Sequence, residues 1–272
     1  MLEFWPVYFV EAAGFGQAAW LLSKRPWNPS RQGAKDATNE AVSASSTGSP
    51  RLLLAFRAFV AVWSLVVGGR QLLAKGPIVL KFYTVWNWWL MTAFFWLAAA
   101  ASIQGQMKKS VSSSTANRVG RAAIILYHMN STTVWIVDVL CWALLVPMLT
   151  SDPDQQLVAF WKSQFYNFTS YNMHAANAVF MLLELALNRI PFYPYMLGYV
   201  GLWSTIYGLW SITHYFIFGR WLYPFLDAAK PWAAFCYLGI FLVHWIFTGI
   251  HLGLHRLKMR LAPALNLQLK ID

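Results

Sequence analysis

The 272 residues are 58% hydrophobic and only 11% charged, and their net charge is +11. Soluble domains are usually about 45–50% apolar and about 25% charged, so this composition excludes a disordered chain, a coiled coil and an ordinary soluble enzyme. It predicts an all-α, polytopic transmembrane helix bundle, since each crossing helix takes about 20 apolar residues. The basic residues lie in short segments between apolar runs, where membrane proteins carry orienting charges, so we expect no nucleic-acid partner.

Six apolar segments within residues 51–254 predict a membrane domain of about six spans. Residues 1–50 come before it. The apolar part of this region, up to residue 23, is expected to lie at the membrane interface, and residues 28–50 are expected to form a flexible loop. Residues 255–272 are predicted to be a basic cytosolic tail. In chain order, the predicted spans are Leu52–Val67, Thr84–Ile103, a segment within Val119–Leu149, Tyr171–Leu187, Tyr195–Phe218 and Trp232–Leu254.

The lysines and arginines are divided unevenly between the two sides of this bundle. Six spans place both termini on one side, which carries 15 of these residues, whereas the other side carries 6. The positive-inside rule therefore predicts that both termini are cytosolic. We expect an integral membrane protein of an endomembrane or of the plasma membrane, with the lipid bilayer as its partner.

Three polar side chains are predicted to reach one level of the membrane. Thr84 opens the second span, His174 lies near the start of the fourth, and His214 lies late in the fifth. A threonine hydroxyl needs an adjacent base to act as a nucleophile, and a neutral imidazole suits that role; the dipole of a helix start would help to keep His174 neutral. The alternative is structural: Thr84 caps its helix and His174 bonds a neighbouring helix.

Other polar residues within the spans favour structural roles. His244, His251 and His255 share a face of the last span, a pattern that a metal or haem site can also show. Because His251 and His255 approach a basic cytosolic end, we prefer contact with lipid headgroups and expect no metal and no cofactor. Asp138 and Glu184 lie in apolar runs, where we expect them to bridge helices or to pair with a basic group.

Two glycosylation sequons and two cysteines complete the candidate sites. Asn130 lies inside the third span and should be unreachable, whereas Asn167 lies beside the fourth and should be used poorly. Cys141 and Cys236 lie in apolar runs and are predicted to be free, buried thiols.

Three motifs resemble a known family of polytopic membrane proteins. Lys81-Phe82-Tyr83-Thr84-Val85 resembles the start of the second helix of androgen-induced-gene-like proteins, and Met173-His174, with Pro191 beyond, resembles their fourth-helix region. His214-Tyr215 and the later Arg-Trp-Leu-Tyr-Pro-Phe-Leu-Asp at 220–227 resemble their histidine-containing helix end. The resemblance spans about residues 51–254, and the stretch 167–227 looks closer to the rolling-stone-like branch.

The resemblance implies a function as well as a fold. Androgen-induced-gene-like proteins are membrane threonine hydrolases that cleave fatty acid esters of hydroxy fatty acids, which implies Thr84 as the nucleophile and His174 as the base. His214 would support the pair by hydrogen bonding, and the substrate would be an acyl-chain lipid. The rolling-stone-like branch implies the alternative, a non-enzymatic multi-pass protein that acts as a scaffold or fusion factor.

Overall fold

The computed structural model describes residues 4–24, 42–106 and 113–268. Within these ranges the chain is predominantly helical, and the one β-contact is an isolated bridge between Ser45 and Asn188. The chain divides into two compact units: Met1–Trp27 with Tyr193–Ile250 (unit 1), and Asn28–Phe192 with His251–Asp272 (unit 2). The predicted all-α fold is confirmed.

Long helices make up most of both units, and shorter helical segments lie between these helices along the chain. In chain order the helices are α1 (Trp5–Lys24), α2 (Pro50–Lys75), α3 (Tyr83–Gln106), α4 (Ser113–Val139), α5 (Val146–Thr150), α6 (Gln155–Phe165), α7 (Phe168–Tyr171), α8 (Asn177–Leu187), α9 (Leu197–Phe218) and α10 (Ala233–Gln268). Two π-helical segments, Leu140–Leu145 and Asn172–Ala176, join α4 to α5 and α7 to α8.

Each of the six predicted spans falls on helical structure, although some ends differ. Helix α2 continues past Gly68 and Gly69, whereas the first predicted span ended at Val67. Gly68 serves close packing, because a Cβ atom there would lie 2.9 Å from the Trp89 ring. Helix α10 also continues beyond the predicted boundary at residue 254, since the Leu, Arg, Lys and Met residues that follow favour a helix.

Three helical stretches of the described residues are long and apolar enough to cross a membrane, judged by length and composition. These stretches are Pro50–Lys75, Arg118–Thr150 and Ala233–Leu261, and they coincide with the first, third and sixth predicted spans. The total number of spans and the side of each terminus stay predictions.

The predicted flexible loop is only partly described. Residues 25–41 lie outside the described residues, as do 107–112 and, at the end of the predicted tail, 269–272. The part from residue 42 onwards is packed in unit 2. Val42 is fully buried, and the Ser46 amide donates to the Leu187 carbonyl at 2.8 Å.

In unit 1, α1 packs lengthwise on α9 in the antiparallel direction. Phe4, just before α1, contacts Tyr215 near the end of α9 with ring centroids 6.0 Å apart. Near the other end, Ala18 faces Gly198, where an added Cβ atom would lie 2.9 Å from the Ala18 carbonyl oxygen. Such close contact over small residues is characteristic of paired membrane helices. The sequence predicted an interfacial segment here, and the structure shows that this segment is a helix paired with a predicted span.

This antiparallel pairing leads to a prediction about the N-terminus. The start of α1 lies beside the end of α9 that the six-span scheme places on the non-cytosolic side. The distribution of basic residues does not oppose this placement, because residues 1–23 contain no Lys or Arg. We therefore expect the two ends of α1 to lie on opposite sides of the membrane, with the first end non-cytosolic.

Cysteine labelling in sealed vesicles of known orientation tests the prediction, in a background without Cys141 and Cys236. A membrane-impermeant thiol reagent on the non-cytosolic face should label Trp5→Cys and should not label Ser23→Cys. Gln155→Cys, at an exposed position in a predicted non-cytosolic segment, is the positive control. If Trp5→Cys is protected while Gln155→Cys reacts, α1 lies on the cytosolic side, as the six-span scheme predicts.

Candidate active site

Thr84 lies in a narrow cleft within unit 2. It is the second residue of α3, as the sequence predicted, and its side chain is half-buried. The cleft has polar and apolar walls, formed by Thr84, Asn87 and Asn177 and by Trp88, Met91, Val134 and Met173. It is too narrow to hold a water molecule. Binding of any ligand therefore requires the cleft to widen.

His174 lies in the π-helical segment 172–176 and not in regular α-helix. Its backbone angles, φ −132° and ψ 19°, depart from helical values. The helical run begins at Phe168, so His174 lies beyond the first turn and the dipole of the helix start does not reach it. This corrects the sequence-based reason for a neutral His174. Single-turn π segments inside helices occur frequently at functional sites.

Two tryptophans hold this π-helical segment in place. The indole Nε1 of Trp142, in the other π-helical segment, donates to the His174 carbonyl at 2.5 Å, and the two rings meet edge to face at 6.4 Å. The indole Nε1 of Trp63, in α2, donates to Asn172 Oδ1 at 2.8 Å. Helix α2 and the first π-helical segment therefore both determine where His174 lies.

The imidazole of His174 has an unpaired nitrogen. Its Nδ1 is buried and has no hydrogen-bond partner in the described part of the chain. Met173, the preceding residue, lines the cleft of Thr84, and the π-helical segment contacts α3. The structure thus brings Thr84 and the segment that carries His174 to one region of unit 2. An unprotonated imidazole nitrogen can accept a hydroxyl proton.

His214 belongs to unit 1. It is buried near the end of α9, where its Nδ1 lies 3.0 Å from the Arg220 carbonyl oxygen. Its ring also contacts Phe218, with centroids 4.6 Å apart. These contacts hold the chain as it leaves α9 at Gly219, which takes a left-handed conformation with φ 67°. The predicted support of the catalytic pair by His214 stays a prediction.

Asp138 and Asn177 connect two helices beside the cleft. Asn177 Nδ2 donates to Asp138 Oδ1 at 2.8 Å, which joins α8 to α4 and confirms that Asp138 bridges helices. Asn87 and Asn177 belong to no motif and were not predicted as site residues. Each stands three positions after a predicted catalytic residue, a spacing that places two side chains on one helix face. That spacing is the sequence signal that could have identified them.

A buried ion pair forms the centre of a second polar cluster in unit 2. The side chains of Arg57 and Glu184 are both 0% exposed, with Nη2 and Oε1 2.5 Å apart. Arg57 Nη1 also donates to the Val42 carbonyl and to Ser102 Oγ, at 2.7 Å each. The prediction that Glu184 pairs with a basic group is confirmed. This cluster ties α2 to α8 and α3.

Histidine rings surround Phe192 in the same unit. They are those of His128, His251 and His255, with centroids 5.4, 5.5 and 6.1 Å from the Phe192 centroid. Among the described residues, no group of three or more His, Cys, Asp or Glu side chains has an arrangement that could hold a metal ion. His244 lies in unit 1, where its Nε2 is 2.5 Å from Ser204 Oγ.

The sequons and cysteines lie as their sequence context predicts, with one difference. Asn130 is fully buried in α4. Asn167 caps α7 by accepting from the Ser170 amide, and its Nδ2 donates to the Gln164 carbonyl, so both ends of its amide are already bonded. Both cysteines are free; Cys141 is buried, but Cys236 is only half-buried.

Comparison with known proteins identifies one family. The model of the family described as FAR-17a/AIG1-like protein matches residues 70–256. That range includes every residue that lines the cleft, both π-helical segments and His214. No curated protein and no solved structure shows significant similarity to the chain.

Proposed function

The chain belongs to the FAR-17a/AIG1-like family, and from this premise we propose that it hydrolyses lipid esters within the membrane. Thr84 acts as the nucleophile and His174 as the base. The observation that carries the proposal is the cleft itself. Thr84 and the buried amides of Asn87 and Asn177 line it, and the π-helical segment that carries His174 contributes Met173 to its wall. Polar groups within membrane spans are costly and usually functional, so their concentration here supports a reaction site.

The proposed reaction has two steps. Thr84 Oγ attacks the ester carbonyl carbon while its proton passes to His174, and the alcohol leaves with that proton, which gives an acyl-threonine. Water then attacks the acyl carbonyl, the bond to Oγ breaks, and the free acid leaves. Trp88, Met91 and Val134 give the cleft apolar walls, which suit an acyl chain that enters from the bilayer.

The proposed substrate class comes from the resemblance of the Thr84 and His174 motifs to those of androgen-induced-gene-like proteins. We propose fatty acid esters of hydroxy fatty acids, in which both the acid and the alcohol carry long apolar chains. Side chains alone supply the chemistry of both steps, so the proposed route uses no metal and no cofactor.

Labelling with a fluorophosphonate tests the assignment of the nucleophile, because these reagents react with activated hydroxyl groups. The wild-type protein should be labelled on the peptide that contains Thr84, and Thr84→Ala should not be labelled. Thr92→Ala is a matched control on the same helix, where the Thr92 hydroxyl donates to the Trp88 carbonyl. It should be labelled like the wild type. Equal labelling of Thr84→Ala and wild type would exclude Thr84.

The narrowness of the cleft favours a second candidate function. A closed, well-packed interior is also what a non-enzymatic multi-pass protein of the rolling-stone type would have, as a scaffold or fusion factor. In that case Thr84 and His174 are packing residues. Their replacement would then lower the melting temperature, and the wild-type protein would show no fluorophosphonate labelling.

A further inference from the structure

Two amide oxygens in the cleft have no hydrogen-bond partner. Asn87 and Asn177 are each 4% exposed, and the Oδ1 atom of each is buried and unpaired in the described part of the chain. Buried polar atoms almost always have a hydrogen-bond partner, so two buried amide oxygens without one in the same cleft need an explanation. Both residues line the same cleft as Thr84.

The orientation of both amides follows from their partners. Asn87 Nδ2 donates to the Tyr83 carbonyl oxygen at 2.8 Å, and Asn177 Nδ2 donates to the Asp138 carboxylate at 2.8 Å. The Tyr83 carbonyl can only accept, so it must face the Asn87 amide nitrogen, and Asp138 Oδ1 accepts from the Asn177 amide nitrogen. Rotating the Asn87 amide by 180° would set two oxygens against each other. The Oδ1 atoms are therefore the ends left for a ligand.

Because both unpaired amide oxygens are hydrogen-bond acceptors, the ligand that they bind must be a hydrogen-bond donor. An ester carbonyl or an oxyanion offers no donor, so in this orientation the two amides cannot stabilise an oxyanion. A water molecule offers two O–H groups, so it can donate one to an amide oxygen and the other to the His174 base. We propose that Asn87 and Asn177 bind the water that hydrolyses the acyl-enzyme, which deepens the proposed function and rests on it.

The step balances with groups already present. The water oxygen forms a bond to the acyl carbonyl carbon, and the bond between that carbon and Thr84 Oγ breaks. One water proton passes through His174 to Thr84 Oγ, and the other stays on the carboxylic acid that leaves. The two asparagines act only in this second step, because acylation of Thr84 needs no water. The cleft must widen before water enters, since it is too narrow at present.

The two steps can be separated with a chromogenic acyl ester and rapid quenching. In Asn87→Leu and Asn177→Leu, we expect the initial burst of released alcohol to persist and hydrolysis of the acyl-enzyme to slow at least about tenfold. Acyl-Thr84 should then accumulate and be visible by mass spectrometry of the intact protein. Asn130→Leu is the matched control: Asn130 is buried, donates to the carbonyl four residues earlier and also has an unpaired Oδ1, but it does not line the cleft.

Asn87→Ala and Asn177→Ala provide the same test if the leucine variants do not fold, because they remove the acceptor and leave space. Wild-type rates of acyl-enzyme hydrolysis in these variants would overturn the water site. Equal slowing of acylation and hydrolysis would overturn it as well, since the amides would then act on the whole site. If the wild-type protein never forms acyl-Thr84, the proposed function itself fails, and that result is distinct from the other two.

Discussion

Replacing Thr84 with alanine is expected to abolish lipid-ester hydrolysis, because the substitution removes the oxygen that forms the acyl-enzyme. Thr84→Ser should keep part of the activity, since a hydroxyl remains on the same carbon atom. His174→Ala should lower kcat by about 10²- to 10⁴-fold, the usual contribution of a positioned general base. The double variant Thr84→Ala with His174→Ala should be no less active than Thr84→Ala, because residues that act as one unit do not contribute additively.

Initial rates of ester hydrolysis in proteoliposomes check this prediction, together with expression and melting temperature. Thr92→Ala again serves as the control on α3 and should keep wild-type activity. Full hydrolysis by Thr84→Ala would show that the nucleophile is a different residue. If all the variants of Thr84 and His174 instead lose their fold together, both residues are structural, and the scaffold function is favoured.

Replacing Arg57 with methionine should destabilise unit 2 by about 3–5 kcal/mol, because the fully buried carboxylate of Glu184 loses its partner. The Val42 carbonyl and Ser102 Oγ would lose a donor in the same variant. Most of this loss should be recovered in Arg57→Met with Glu184→Met, since two apolar side chains of similar length leave no buried charge. Buried ion pairs are often replaced by hydrophobic residues at no cost in stability.

Thermal unfolding in a mild detergent measures this effect as a shift in melting temperature. Arg51→Met is the control, because Arg51 is an exposed arginine of the same helix, and exposed charges contribute at most about 1 kcal/mol. A double variant as unstable as Arg57→Met would show that the pair stabilises the fold beyond satisfying its own charges. The hydrogen bonds of Arg57 to Val42 and Ser102 would then carry the stability.

Local composition alone identified the helical class and the positions of the main helices. A bilayer interior offers no hydrogen-bond partners, so long apolar runs must be helical, and the predicted spans fall on helical segments for this reason. The position of Thr84 at the start of α3 followed from the same pattern. The motifs around Thr84, His174 and His214 identified the family, which the match over residues 70–256 confirms.

Contacts between residues that are far apart in the sequence could not be predicted from the sequence. Nothing near Glu184 indicates that its partner is Arg57, because the two residues are 127 positions apart and pair only when α2 and α8 pack. The apolar composition of residues 5–24 is compatible with an interfacial segment or a paired helix, and only the fit of Ala18 against Gly198 distinguishes the two.

The local conformation at His174 also depended on the tertiary structure. The sequence predicts a regular helix there, whereas bonds from Trp142 and Trp63 hold a π-helical segment whose geometry no local pattern encodes. The roles of Asn87 and Asn177 were hidden for a similar reason. An amide can face a neighbouring helix, its own backbone or a cleft, and its partners become known only when α3, α4 and α8 pack together. The sequence by itself thus determined the class, the helices and the family, while packing between helices decided which polar atoms are paired and which remain available for chemistry.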